Sequence, residues 1–89
     1  MNYLKFPLNH QDGGALVEVT LSGVESDVFL VDSVNLSNFE RGGRFDYFGG
    51  HFKRSLVRLT VPSSGTWTVV VVPGWGGTVR ASVRVLTRT

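Results

Sequence analysis

The chain has no cysteine. Disulfides, thiol nucleophiles and thiolate metal sites are therefore excluded together. A small domain without such staples must be held by its own packing or by a partner subunit. The same absence fits a cytoplasmic setting. No apolar run approaches the roughly 20 residues that would cross a bilayer, so no membrane association is expected. The opening "MNYLKFPLNHQDGG" has no charged region followed by a long apolar stretch, so no signal peptide is expected either. Acidic residues are missing from the entire second half. All 7 acids lie in residues 1–46 with Lys5, Arg41 and Arg44, a balance of −4. Residues 47–89 carry Lys53, Arg54, Arg58, Arg80, Arg84 and Arg88, a balance of +6. Such asymmetry either marks a basic face for an anionic partner or cancels when the two halves pair in space. Cancellation is expected, with Arg80 or Arg84 beside Glu18, because β-sandwiches interleave distant strands.

With 89 residues, the chain has the length of one domain, 1–89, with a modest core. Strand patterns fill most of it. "ALVEVTLS" alternates, with Ala15, Val17, Val19 and Leu21 on one face and Glu18, Thr20 and Ser22 on the other. "SLVRLTVP" places Val57, Leu59 and Val61 inward, and "TVRASVRVL" does the same with Val79, Ala81, Val83 and Val85. "DVFLVD" is a short apolar strand between acids. In "TWTVVVV" the run Val69 to Val72 is apolar on both faces. This strand belongs at the centre, covered by a second sheet on one side and by another subunit on the other. "YLKFPL" suits an edge, since Pro7 cannot donate to a ladder. Val19, Val57, Leu59, Val69, Val71 and Val83 are the expected inaccessible core.

Turn signals separate these runs: "QDGG", "SGVES", "PSSG" as a tight strand connection, and "PGWGG". Only "DSVNLSNFERGG" has room for a helical turn, near 33–40, with Ser33 as its cap and Leu36 and Phe39 pinning it to the core. The fold expected is all-β: an antiparallel β-sandwich or flattened barrel of seven to eight short strands, jelly-roll or Greek-key-like.

One stretch suggests chemistry: "YFGGHFKRS", residues 47–55. Gly49-Gly50 reads as a two-residue hairpin turn with both glycines at positive φ. In that register Phe48 faces His51, Tyr47 faces Phe52, Asp46 faces Lys53 and Phe45 faces Arg54, giving an aromatic pair and an opposite-charge pair. The tip then carries rings for stacking and cations for an anion. Tyr47, Phe48, His51, Phe52, Lys53 and Arg54 are thus candidate binding residues, joined by Trp75 in "GWGG". The alternative is that His51 is merely solvated at the tip.

Other constellations are weaker. His10 and His51 are the only histidines and lie far apart in sequence, which does not suggest a metal site. Asp32, Asn35 and Asn38 match no calcium-loop spacing and suit helix capping and turn bonds better. No serine has an adjacent base or nucleophile-elbow context, and no phosphate-loop or dinucleotide fingerprint is present. No cofactor is expected.

Taken together, "GALVEVTLSG", "DVFLVDSVNLSNFERGGRFDYFGGHFKRSLVRLTVPSSGTWTVVV" and "GTVRASVRVL" resemble a small bacterial domain-of-unknown-function family with a Gly-Gly-His hairpin and a "VP..G.W" turn. The resemblance covers nearly the whole chain. It implies a compact β-sandwich, found alone or beside other domains, some of them resembling Toll/interleukin-receptor-type signalling architectures. It implies no activity. Three positions depart from the pattern. Leu56 stands in place of proline, Pro73 and Trp75 in place of an acid followed by glycines, and Val34 in place of the serine of a serine-asparagine pair.

The function expected is a non-catalytic binding or protein-interaction module on a rigid β scaffold. A structural homo-oligomer is the alternative, burying the doubly apolar strand and the aromatic hairpin against a twin. An enzyme built on His51 with Asp46 or Asp32, and a nucleic-acid binder using the basic half, are weaker readings. A net charge of +2 is a thin basis for phosphate contacts.

Overall fold

A computed structural model describes residues 2–86. Seven strands and one helix follow in the order β1 (Leu4–Gln11), β2 (Leu16–Gly23), β3 (Ser26–Asp32), α1 (Ser33–Glu40), β4 (Phe48–Phe52), β5 (Val57–Thr60), β6 (Gly65–Pro73) and β7 (Val79–Leu86). They form two antiparallel sheets, β1-β6-β3-β4 and β5-β2-β7. This is the β-sandwich that the alternating patterns predict.

The sheets close on each other through their inner faces. Val28, Leu30, Trp67, Val69 and Val71 come from the four-stranded sheet; Val17, Val19, Val57 and Leu59 come from the three-stranded sheet, with Val61 just past β5. Alternation along each strand delivers these residues to one side. Val83 is an exception to the expected core and is only half-buried. It lies on β7, the edge of the smaller sheet, where the covering sheet no longer reaches over it fully.

β3 and β6 are buried on both faces. On the outer side, Phe29, Val31 and Val70 pack with Phe39 of α1, and with Leu36, Phe45 and Tyr3 at the margin. The second cover expected from another subunit is thus supplied by this chain. Helix α1 is fixed there by its ends. Its N-cap is Asp32 rather than Ser33: the Asp32 carboxylate accepts the Asn35 backbone N–H at 2.9 Å. At its other end Glu40 accepts hydrogen bonds from Tyr3 and Lys5, beside and on β1.

The turn signals mark the strand ends correctly but do not make hairpins. "QDGG", "SGVES", "PSSG" and "PGWGG" each carry the chain from one sheet to the other. β3 and β4 alone are both successive and neighbouring, with α1 between them. β1 lies at a sheet edge, as Pro7 requires, and its register shifts between Pro7 and Asn9.

The sharpest correction falls on Gly49-Gly50. They are not a turn. Both lie inside β4, which pairs with β3 as Leu30↔Phe48, Phe29↔Gly49, Val28↔Gly50, Asp27↔His51 and Ser26↔Phe52. Neither glycine has positive φ; Gly14, Gly23, Gly42 and Gly76 do. The cross-strand pairs drawn from a hairpin, among them Asp46 with Lys53 and Tyr47 with Phe52, are absent. Gly49 is required for a different reason. A Cβ there would collide with the Val28 carbonyl oxygen and sit 2.6 Å from Phe29 Cα.

The charge asymmetry does cancel in part. Glu18 lies between Arg58 of β5 and Arg84 of β7 in register. Both guanidinia bond its carboxylate. Arg88 lies outside the described residues.

Candidate functional site

On the outer face of the four-stranded sheet, Tyr47, Gly49 and His51 occupy alternate positions. Between the other two, Gly49 lies hard against the backbone of Val28 and Phe29. Beside it is a cleft of about 270 Å³ lined by Asp27, Phe29, Phe45, Tyr47, Gly50 and His51.

Its apolar wall is a set of rings in mutual contact. Phe29 lies 5.6 Å from Phe45 and 5.3 Å from Tyr47, centroid to centroid, and Phe45 lies 5.5 Å from Tyr47. Phe39 closes the cluster from α1, edge-on to Phe29, Phe45 and Tyr3. Tyr47, at the rim, remains 51% exposed.

The polar wall is a histidine held by two carboxylates. His51 Nδ1 lies 2.8 Å from Asp27 Oδ1, its register partner on β3, and Nε2 lies 3.4 Å from Glu25 Oε1. The hydrogen bond with Asp27 raises the imidazole pKa above its ordinary value. Partial desolvation opposes this, and Glu25 adds to the rise. Positive charge on the ring is therefore favoured, and the protonated ring presents an N–H to each acid.

The sequence candidates divide among three places. Tyr47 and His51 line the cleft. Phe48 and Phe52 point to the inner side: Phe48 sits edge-on to Trp67 at 5.9 Å and Phe52 packs against the main core. Lys53 and Arg54 are exposed just beyond β4. Trp75 is fully exposed on the β6–β7 turn, part of a separate concavity. His51 does not pair with Asp46 or Asp32. Asp46 receives no contact from it and accepts none at its side chain; its backbone N–H donates to Asn35 Oδ1, while Asp32 caps α1. Asn38 Oδ1 accepts from Arg41. These loop residues make the capping and turn bonds expected of them. His10 and His51 lie on opposite edge strands of one sheet, and no metal-binding group of side chains occurs among the described residues.

Sequence reasoning missed Glu25, Asp27, Phe29 and Phe45. Glu25 and Asp27 are two apart and so share a strand face, a signal that was available. Which residue they meet depends on the register of β4, which sets His51 opposite Asp27 and which a turn at Gly49-Gly50 would place elsewhere.

The described residues thus define an antiparallel β-sandwich with one helix-covered face and an aromatic cleft beside a histidine–carboxylate group. The model of a domain of unknown function, DUF1883, matches residues 1–89, and the chain belongs to that family. Comparisons with curated proteins and with solved structures gave no match. No helix among the described residues is long and apolar enough to cross a membrane.

Proposed function

We propose that this domain is a non-catalytic binding module, and that the cleft between Tyr47 and His51 is where it binds. The observation that carries the reading is the cleft lined by Tyr47, Phe45, Phe29, Asp27 and His51. It places an exposed ring and a fixed, charge-favouring imidazole on either side of a floor made by Phe29. Such a mouth suits a ligand group with a flat apolar face and a polar edge: the face stacks on Tyr47 and Phe45, and the edge meets His51 or Asp27. Both imidazole nitrogens are turned to carboxylates, so neither stands free as a general base. That supports binding over catalysis. The pairing of Arg58 and Arg84 with Glu18 weighs against a basic nucleic-acid face.

The test is a fragment panel of aromatic and heteroaromatic compounds read by amide and imidazole NMR shifts. Hits should move Gly50 and the His51 ring, and Tyr47→Ala should abolish the shifts while circular dichroism shows the fold retained. A panel that perturbs only the Trp75 turn, or nothing near β4, would reject the cleft.

A further inference from the structure

Each sheet of a sandwich ends in strands whose outer backbone groups lack a partner, and proteins guard such edges with proline, bulges, brevity or charge. Three of the four edges here are guarded. β1 carries Lys5, Pro7 and a register shift. β5 is only 4 residues long and bears Arg58. β7 bears Arg80 and Arg84. The fourth, β4, is also short at 5 residues, but it has no proline and no register shift, and its basic neighbours Lys53 and Arg54 stand just outside it. It is Phe-Gly-Gly-His-Phe, without proline, lysine or arginine, and its histidine is held by Asp27 and Glu25. Two exposed large apolar residues stand on or beside this strand: Tyr47 at 51% and Phe48 at 49%.

The direction of the free groups follows from the ladder. Gly74 N–H donates to the Glu25 carbonyl at 2.9 Å, continuing the β3–β6 register in which Ser26 opposes Pro73. Residues of β3 alternate between bonding β6 and bonding β4. Asp27 and Phe29 therefore turn to β6, while Ser26, Val28 and Leu30 turn to Phe52, Gly50 and Phe48. The backbone groups of Gly49 and His51 are left facing outward.

We propose that β4 pairs antiparallel with β4 of a second copy of this chain, with Gly50 on the two-fold axis. Only registers that bring outward-facing residues opposite one another make hydrogen bonds. Centring on Gly50 satisfies this, because Gly49 then exchanges backbone hydrogen bonds with the partner's His51 and His51 with the partner's Gly49. The strand is self-complementary in this register. Phe48 meets the partner's Phe52, an aromatic pair made twice. One residue further out Tyr47 meets the partner's Lys53, a ring beside an ammonium. Beyond the ladder, where the chain leaves β4 at a bend, the same register brings Asp46 to the side of the partner's Arg54. Both of these residues are exposed and have no ion-pair partner among the described residues. Centring on Gly49 instead would set Arg44 against the partner's Arg54. The four-stranded sheets of the two copies fuse into one continuous sheet, with both aromatic clefts on the same side of it. The contact is short, so the dimer belongs to the weak class.

The experiment is a charge exchange across the axis on the full chain. Asp46→Arg sets two arginines opposite each other in the homodimer, and Arg54→Asp sets two aspartates opposite each other. Each should weaken association about tenfold, as reversal of two cross-strand pairs implies. Mixing the two variants should restore it, because every pair in the mixed dimer is again of opposite sign. Light scattering and sedimentation up to about 1 mM, the range of weak complexes, give the readout. Circular dichroism checks that each variant is folded, and the mixed sample would reveal a merely misfolded one. The amides of Gly49 and His51 should become protected from hydrogen exchange as concentration rises. A wild-type chain that stays monomeric overturns the proposal. So does association unchanged in both variants, which would place the contact elsewhere, or a mixture no tighter than its components. Loss of ligand at the cleft would leave this result untouched, since the edge and the cleft are read by different measurements.

Discussion

Glu18 Oε1 lies 2.8 Å from Arg84 Nη2, across 66 positions of sequence. Arg84 Nε also donates to that oxygen at 3.0 Å, and Arg58 Nε donates to the other carboxylate oxygen at 3.2 Å. Glu18 is only 7% exposed although it stands on the outward face of β2, because the two arginines lie across it. The carboxylate thus stitches all three strands of the smaller sheet. The Arg84 hydrogen bonds hold its pKa below the usual carboxylate range; desolvation opposes them, and Arg58 assists. A depressed folded pKa contributes stability that is complete above the unfolded value, about 4.3, and is lost as pH falls through the lower folded value. Glu18→Gln should therefore lower the melting temperature at neutral pH and flatten the fall in stability on acidification. Arg84→Met should cost more than Arg58→Met, since two bonds are lost rather than one. Equal effects in thermal melts would contradict the geometry.

Val71 is fully buried between the sheets, whereas Val83 on the edge strand is half-buried. Val71→Ala should cost on the order of 1–3 kcal/mol through lost transfer energy and the residual cavity. Val83→Ala should cost clearly less, because its site is partly open and can fill with water. Urea denaturation of the two variants compares them directly. An unmoved midpoint for Val71→Ala would refute the central place of β6.

Gly49 and Gly50 separate close approach from turn conformation. Gly49→Ala should destabilise the fold, since the new Cβ meets the backbone of Val28 and Phe29. At Gly50 the nearest atom to an added Cβ is Phe52 Cε2 at 4.0 Å, and φ is not positive. Gly50→Val should therefore fold, as a β-branched residue suits a strand. A hairpin tip would make the valine variant the damaged one. Melting temperatures of both variants settle the order.

His51 should titrate above an ordinary histidine in an NMR pH series, because Asp27 favours its protonated form. Asp27→Asn should bring the midpoint down, and Glu25→Gln should do so by less. The sign for folding follows from linkage. A raised folded pKa contributes stability that is fully present below the unfolded value, about 6.5, and lost as pH rises through the folded value. The ring is about half exposed, so added salt should shrink the shift. A His51 midpoint indifferent to Asp27→Asn would remove the polar wall of the cleft.

Strand identity was written in the sequence because alternation is a local property. The inward sets of β2 and β5, the two-sided burial of β6, and the pinning of α1 by Leu36 and Phe39 all follow from which residue types recur at which spacing. Even the Glu18–Arg84 pairing could be anticipated, since a buried sandwich face forces charges onto the opposite side, where distant strands lie together. What the chain does at Gly49-Gly50 was not local. Two glycines satisfy a tight turn and a close strand approach equally well. The choice was made by Phe29, whose ring needs the outer face of β3 and whose backbone admits no side chain from its neighbour at that level. That packing laid residues 48–52 along β3 and set His51 opposite Asp27. It also put Tyr47 and His51 on the walls of the cleft over Phe29. The residue types of the cleft are legible in one dimension, but the cleft itself arises from the register between two strands joined through a helix. Register is fixed by contacts between segments distant in sequence, and only the folded chain contains them.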